Sequence, residues 1–321
     1  STGTGVNITA SAITGINGGA GFQTTDVGRI ISFNSGKAKI TARTNTTVVV
    51  ATITTAFTNT NATAAFNLGA YSDTTGHPSC VSFFEQRLVF AGTKDEPQTI
   101  FFSAAGDYEN MTTGTNAADA MVYTIAANQV NAIRYMKAVR TLVVGTTGGE
   151  YTVSADGTDA SITPTNITIK RQSSYGSANV DAIPAGNAIL FLQKARRKIR
   201  ELQYNFDSDG YQAPDLTILN DSATNSGINE MVYQQEPGSI IWCVRDDGVL
   251  AALTYQRSEN VIAWSRHIFG GAFGTGKSVC ESAATISGDL TEDEVWVIIK
   301  RTVNGATKRY VECFSDFDFD E

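Results

Sequence analysis

Histidine is the scarcest chemically versatile residue in this 321-residue chain. There are two, His77 and His267, and neither lies near a G-x-S-x-G elbow or a cysteine in a nucleophile's context. Nucleophilic hydrolysis therefore finds no support. Cysteine is almost as scarce: Cys80, Cys243, Cys280 and Cys313 are far apart, lack C-x-x-C spacing and have no histidine at ligand spacing. A zinc site is not expected, and neither is any other metal or cofactor. The cysteines stand in apolar stretches such as Ile240-Ile241-Trp242-Cys243-Val244, where a thiol is expected as a small core group; a disulfide is left open.

Long apolar runs are also missing. None approaches the roughly 18 residues of a membrane helix, so no membrane insertion is expected. No basic-then-apolar signal segment opens the chain, which starts at Ser1; a processed product and a piece of something longer are both open. Positive charge is in the minority, with 24 Lys+Arg against 32 Asp+Glu and a formal net charge of −8. That balance argues against a protein whose task is to grip nucleic acid, because phosphate binding needs a basic face. A wide pore through which DNA passes without sticking tolerates it. With 42% hydrophobic and 17% charged residues, the chain is able to bury a large core as one large or two modest domains.

Helical periodicity is absent as well, and 29 glycines interrupt most segments. What is present reads as strand. Residues 1–72 are rich in Thr, Asn and Ala, with β-branched runs such as Thr46 to Ile53, and Asn34-Ser35-Gly36 supplies a turn that pairs Ile30–Phe33 with Lys37–Ala42. This is expected to be a small β domain. Over 73–321 one unit recurs: an apolar strand, a turn, then a second strand. Its first strands begin at Leu88, Leu142, Ile189, Ile241 and Val295, spaced by about 50 residues, as propeller blades are. Their partners are Gln98–Ser103, Glu150–Val153, Ile199–Tyr204, Leu250–Tyr255 and Arg309–Phe314. Asp247-Gly248 and Asn304-Gly305 mark tight hairpins between paired strands. The expected fold class is all-β, a β-propeller-like domain of about five or more blades behind the N-terminal β domain.

Several motifs carry candidate chemistry. Gly271 to Ser278 satisfies G-x-x-x-x-G-K-[ST], but the residues that follow show no helical pattern to hold a phosphate, so the segment reads as a loop. Asp207, Asp209 and Asp215 resemble the start of a calcium loop without its closing Glu; a solvated turn is the preferred reading. The basic cluster Lys194, Arg196, Arg197, Lys198 and Arg200 lies in the hairpin of the third unit, a candidate contact for DNA phosphates or an acidic neighbouring subunit as well as a simple solvated tip. The tail Asp316-Phe317-Asp318-Phe319-Asp320-Glu321 fits a half-buried strand and a flexible extension equally.

The segment His77-Pro78-Ser79-Cys80-Val81-Ser82-Phe83-Phe84-Glu85-Gln86-Arg87-Leu88-Val89-Phe90-Ala91-Gly92-Thr93, with Pro97 to Ile100 and Ser103 to Tyr108, resembles the tail nozzle (tail tubular protein B) and related tail-hub proteins of short-tailed bacteriophages. Gln172 to Ser177, Arg200-Glu201-Leu202, Phe206 to Tyr211, Asp215-Leu216-Thr217, Tyr233 to Pro237 and Trp242 to Gly248 are similar in the same order, so the resemblance covers most of 77–314. In residues 1–70 only Asp26 to Ile31 is similar to small β modules of such proteins. The resemblance implies a non-enzymatic structural protein of the virion. It would form a ring, six-fold in the family, bound to a portal or adaptor and other tail proteins, with double-stranded DNA passing transiently through its axis. The chain is shorter than typical members, which carry a further platform region. The rival reading is a carbohydrate-binding or glycan-cleaving propeller, with Trp242, Trp264 and Trp296 as sugar platforms; their apolar strand contexts favour core packing instead.

Overall fold

The computed structural model describes residues 3–315 apart from 128, 158–159 and 289–291. The acidic alternation at 316–321 lies outside the described residues. The chain forms two compact units, Ser1–Ser79 with Phe90–Phe101 and Val122–Ile125, and Cys80–Val89 with Phe102–Met121 and Ala126–Glu321.

In the first unit, β1 (Val6–Thr9), β2 (Ile30–Phe33), β3 (Gly36–Arg43), β4 (Val48–Thr55) and β5 (Phe66–Leu68) form an antiparallel sheet in the order β1-β4-β3-β2-β5. Asn34 and Ser35 turn β2 into β3 with φ of 43° and 58°, the left-handed pair that matches strand twist in a two-residue hairpin. One face of the sheet packs Ile31, Ala38, Ile40, Val49 and Ala51 with Ile16 and Phe22. A buried ion pair closes its end. Arg29 donates to Asp26 at 2.6 Å, to Asn17 Oδ1 at 2.9 Å and to the Gly69 carbonyl at 2.6 Å, so the buried cation is paired and hydrogen-bonded.

Five sheets follow, as the repeat predicts. The first holds β6 (Cys80–Phe84), β7 (Arg87–Ala91), β8 (Thr99–Phe102) and β9 (Met121–Thr124); the second β10 (Ile133–Ala138), β11 (Leu142–Thr146), β12 (Gly149–Ala155) and β13 (Ile167–Ser173). The third holds β14 (Ile183–Ala185), β15 (Ala188–Leu192), β16 (Ile199–Asn205) and β17 (Gly210–Gln212); the fourth β18 (Ile228–Gln234), β19 (Ile240–Arg245), β20 (Leu250–Gln256) and β21 (Val261–His267). After a small hairpin of β22 (Ala272–Phe273) and β23 (Gly276–Lys277), β24 (Val279–Ser287), β25 (Asp293–Val303) and β26 (Ala306–Cys313) make a three-stranded fifth sheet. Each sheet runs its strands in chain order, and the helical turns described are 3-10 turns of three residues. The protein is all-β and propeller-like.

The apolar runs of the repeat are strands buried on both faces. In β15, Ile189 and Phe191 pack with Tyr135 and Val143 of the second sheet, while Leu190 and Leu192 pack with Ile241, Cys243 and Leu253 of the fourth. In β19, Ile241 and Cys243 face the third sheet, and Trp242 and Val244 meet Cys280, Val295 and Val297 of the fifth. Side chains alternate across a strand, so a strand between two neighbours must be apolar at every position. Burying each such side chain contributes about 1.5–3 kcal/mol.

Successive sheets are also joined by one recurring backbone contact. The hairpin after the second strand of a sheet accepts a hydrogen bond from the chain entering the next: Ser177 N to Thr146 O at 2.7 Å, Ile228 N to Arg196 O at 2.8 Å, and Cys280 N to Gly248 O at 2.9 Å. At the first of these junctions Gly176 has φ +75°, and a Cβ there would stand 2.4 Å from the Thr147 carbonyl oxygen. Only glycine lets the two backbones approach so closely.

Cys80, Cys243 and Cys280 are buried as expected, and among the described residues no disulfide joins the cysteines. Cys313 departs from the core expectation: it is exposed, because it pairs with Trp296 on the face of the fifth sheet turned away from the fourth.

Candidate functional site

The basic cluster falls on the β15–β16 hairpin of the third sheet, where the chain reverses at Arg196 with φ 60°. The turn divides the cations. Arg196 points to the neighbouring hairpin of the fourth sheet, donating to Asp246 at 2.6 and 3.1 Å and also to Asn229. Lys198 pairs with Asp215 at 2.7 Å. Burial works against the Asp215 carboxylate, yet Lys198 with the Thr217 hydroxyl and amide outweighs it and holds its pKa below the usual range. Arg200 donates to Gln193 Oε1 at 2.8 Å and the Ala213 carbonyl at 2.7 Å, and its guanidinium lies 3.5 Å from the centre of the Tyr175 ring. Lys194 and Arg197 remain exposed at the tip. The five residues thus share a hairpin but not a single surface: three are engaged by the chain's own groups.

Arg200 and Tyr175 form one wall of an open groove of about 510 Å³, completed by Gln172, Ser174, Tyr211 and Pro214. Beneath it lies a residue that the sequence reading passed over. Glu150 on β12 is fully buried and accepts hydrogen bonds from Ser173 and, at 2.7 Å, from Ser177. Burial pushes its carboxyl pKa up; the two serines, the Arg200 charge and the Tyr175 amide offset this only in part. A lone Glu heading Tyr151-Thr152-Val153 was the available signal, since a carboxylate in a buried strand needs partners. Glu201, next to Arg200, is likewise buried, with Arg257 Nε 3.2 Å from its carboxylate. Arg245 is buried too: it grips Asp247 at 2.7 Å, Ser226 at 2.9 Å and the Ala223 carbonyl at 2.7 Å.

The other motifs take structural places. Gly271–Ser278 folds as the β22–β23 hairpin and runs into strand β24 where a phosphate loop needs a helix; the Ser278 hydroxyl donates to the Phe269 carbonyl at 2.7 Å. Asp209 accepts the Tyr204 hydroxyl at 2.5 Å and Asp215 is held by Lys198, so the acidic run is parcelled out to separate partners. Among the described residues no group of three His, Cys, Asp or Glu side chains converges as a metal site. His77 lies 3.1 Å from Asp73 on the surface. His267 lies 3.0 Å from the Ser265 hydroxyl and against Trp242, where burial lowers its pKa. Trp242 is buried, and Trp264 donates to the Leu216 carbonyl at 3.0 Å while packing on the core between the third and fourth sheets. Trp296 differs: it is only half-buried, on the outer face of the fifth sheet, and donates to Glu294 at 2.8 Å.

No helix among the described residues is long and apolar enough to cross a membrane. No protein family and no curated protein matches the chain in sequence. Among solved structures it is similar to an auxiliary nutrient binding protein from Bacteroides thetaiotaomicron, with 9% identity over 98% of this chain and 83% of that one and a TM-score of 0.39. It is also similar to the Myceliophteria thermophila Cps50 (Swd1) β-propeller domain, with 8% identity over 97% and 89% and a TM-score of 0.43. A putative phosphatase from Bacteroides thetaiotaomicron matches with 7% identity over 88% and 78% and a TM-score of 0.42.

Proposed function

We propose that the protein is a non-enzymatic structural component of a short phage tail, a nozzle or hub whose copies form a ring, six-fold as in the family, that conducts double-stranded DNA during ejection. On this reading it resides in the virion, bound to a portal or adaptor and to other tail proteins. The observation that carries it is the ordered run of motifs in 77–314 that resembles tail nozzles. The charge arrangement supports the same reading. In an acidic chain, two of the five cations in the densest basic stretch are paired with Asp246 and Asp215 and a third stacks on Tyr175, which suits a wall that DNA passes rather than one that holds it.

The test is negative-stain imaging of the purified protein alone and mixed with its virion neighbours, together with DNA binding at physiological salt. Rings with a central opening and weak binding are expected. A monomer that binds duplex DNA tightly, with loss at high salt, overturns the reading. The glycan-binding alternative has one feature in its favour, the groove with Tyr175 and Tyr211 on its walls. It is tested by a glycan array and by polysaccharide hydrolysis.

A further inference from the structure

The groove of about 510 Å³ beside the third sheet holds a cation in a fixed position. Arg200 on β16 donates through Nε to Gln193 Oε1 at 2.8 Å and through Nη1 to the Ala213 carbonyl at 2.7 Å. One face of its guanidinium lies 3.5 Å from the centre of the Tyr175 ring. Three contacts thus fix the plane of the group. Its remaining nitrogen, Nη2, finds no acceptor among the described residues, and no carboxylate there forms an ion pair with it. The rest of the groove carries no charge: Gln172, Ser174, Tyr211 and Gln212 bring amides and hydroxyls to its wall. A fixed guanidinium is a receptor for a carboxylate, and neutral donors and acceptors around it suit hydroxyl groups on the same ligand.

Glu150, fully buried beneath the groove, limits which anion can be held. It acts on Arg200 through charge, while its direct partners are Ser173, Ser177 and the Tyr175 amide. An ionised Glu150 offsets part of the attraction of Arg200 and opposes a dianion more strongly than a monoanion. A phosphate is therefore the poorer fit. Arg200 is also the charged group that faces Glu150. Tyr135 on β10 faces it too, but burial pushes that phenol's pKa up and keeps it neutral. Asp215, bridged to Arg200 through backbone, is held ionised by Lys198.

We propose that this groove binds a hydroxylated carboxylate, of which a sugar acid is the simplest kind, with Arg200 holding the carboxylate and Ser174, Gln172, Gln212 and Tyr211 the hydroxyls. Binding is coupled to a proton on Glu150. A protonated Glu150 leaves Arg200 unopposed, and a bound carboxylate in turn favours the protonated form, since linkage is reciprocal. Burial already pushes the Glu150 pKa above the ordinary carboxylate range, so affinity falls as pH rises through its folded value. The site is independent of the ring reading and narrows the glycan-binding alternative to acidic sugars.

Calorimetric titration of the full chain with glucuronate, glucose and inorganic phosphate tests it. Glucuronate is expected to bind in preference to the other two, at least about five-fold more tightly near pH 5 than near pH 8. Titrations in buffers of different ionisation heat are expected to show proton uptake on binding. Glu150→Gln is expected to bind equally well at both pH values with no proton uptake, and Arg200→Gln to lose binding, with circular dichroism as the control for folding. The wild-type pH dependence needs no variant and stands even where Arg200→Gln fails to fold. Absence of glucuronate binding at millimolar concentration near pH 5 overturns the proposal, as does binding that survives in folded Arg200→Gln. Binding without pH dependence or proton uptake also overturns it. Glucose bound as tightly as glucuronate overturns it and leaves a neutral-glycan site standing; phosphate bound as tightly overturns it in favour of a general anion site.

Discussion

Glu150 and Glu281 are both carboxylates on strands, and their surroundings drive them in opposite directions. Glu150 is enclosed, with two serine hydroxyls as its direct partners, and desolvation raises its pKa. The native state then holds that proton more tightly than the unfolded chain, so the stability it contributes falls as pH rises from the ordinary carboxylate range through its folded value. Glu150→Gln keeps an acceptor for the serines without the charge. Urea unfolding at about pH 5 and about pH 8 is expected to show a smaller loss at the higher pH in this variant than in the wild type. Glu281 lies between Arg309 at 2.6 Å and Lys300 at 2.9 Å, and the two cations hold its pKa at about 2 against an ordinary 4.5. Its contribution is complete above 4.5 and is lost as pH falls from there through about 2. Glu281→Gln is expected to flatten that part of an acid titration followed by fluorescence, and salt is expected to weaken the difference because the pair is only partly buried.

At three junctions between successive sheets a hairpin and the incoming chain touch through backbone, which puts the specificity there in shape more than in side chains. Gly176→Ala brings a Cβ against the Thr147 carbonyl at a left-handed φ, so strain and collision add; a loss of about 2 kcal/mol or more is expected in urea unfolding. Gly186→Ala has φ +59° but open space around the added carbon, and a loss of about 1 kcal/mol is expected. Equal losses at the two sites would remove the junction from the account. The units themselves were legible in the sequence because double-sided burial writes continuous apolar runs such as Ile189 to Leu192, and Asn304-Gly305 announces its turn. The junction was not, since a close approach between residues 147 and 176 leaves only a glycine as its trace. The same limit applies to the candidate site. The run from Lys194 to Arg200 was visible as charge, but Asp215 and Asp246, which pair with Lys198 and Arg196, come from later turns that only the fold brings near. The exposure of Cys313 and the half-burial of Trp296 were not legible, because an apolar strand pair at the end of the series looks in sequence like an internal one.

For the whole molecule, the proposed nozzle role turns on how strongly the protein holds DNA. A net charge of −8 gives no general attraction, and the third-sheet hairpin keeps Arg196 and Lys198 occupied by Asp246 and Asp215. If those carboxylates mask a phosphate-binding surface, removing them exposes it. Asp215→Asn with Asp246→Asn frees two cations beside the already exposed Lys194 and Arg197, and each additional phosphate contact steepens the dependence of log K on log salt by about 0.9. Duplex DNA binding measured by fluorescence anisotropy across a salt series is therefore expected to be weak for the wild type. For the double variant it should be stronger at low salt, with a slope steeper by up to roughly 2. An unchanged slope would mean that the hairpin faces away from any DNA path, and a conduit would then have to be lined by other strands. Tight wild-type binding that the substitutions do not alter would count against transit altogether, because a wall that grips phosphates slows the polymer it is meant to pass.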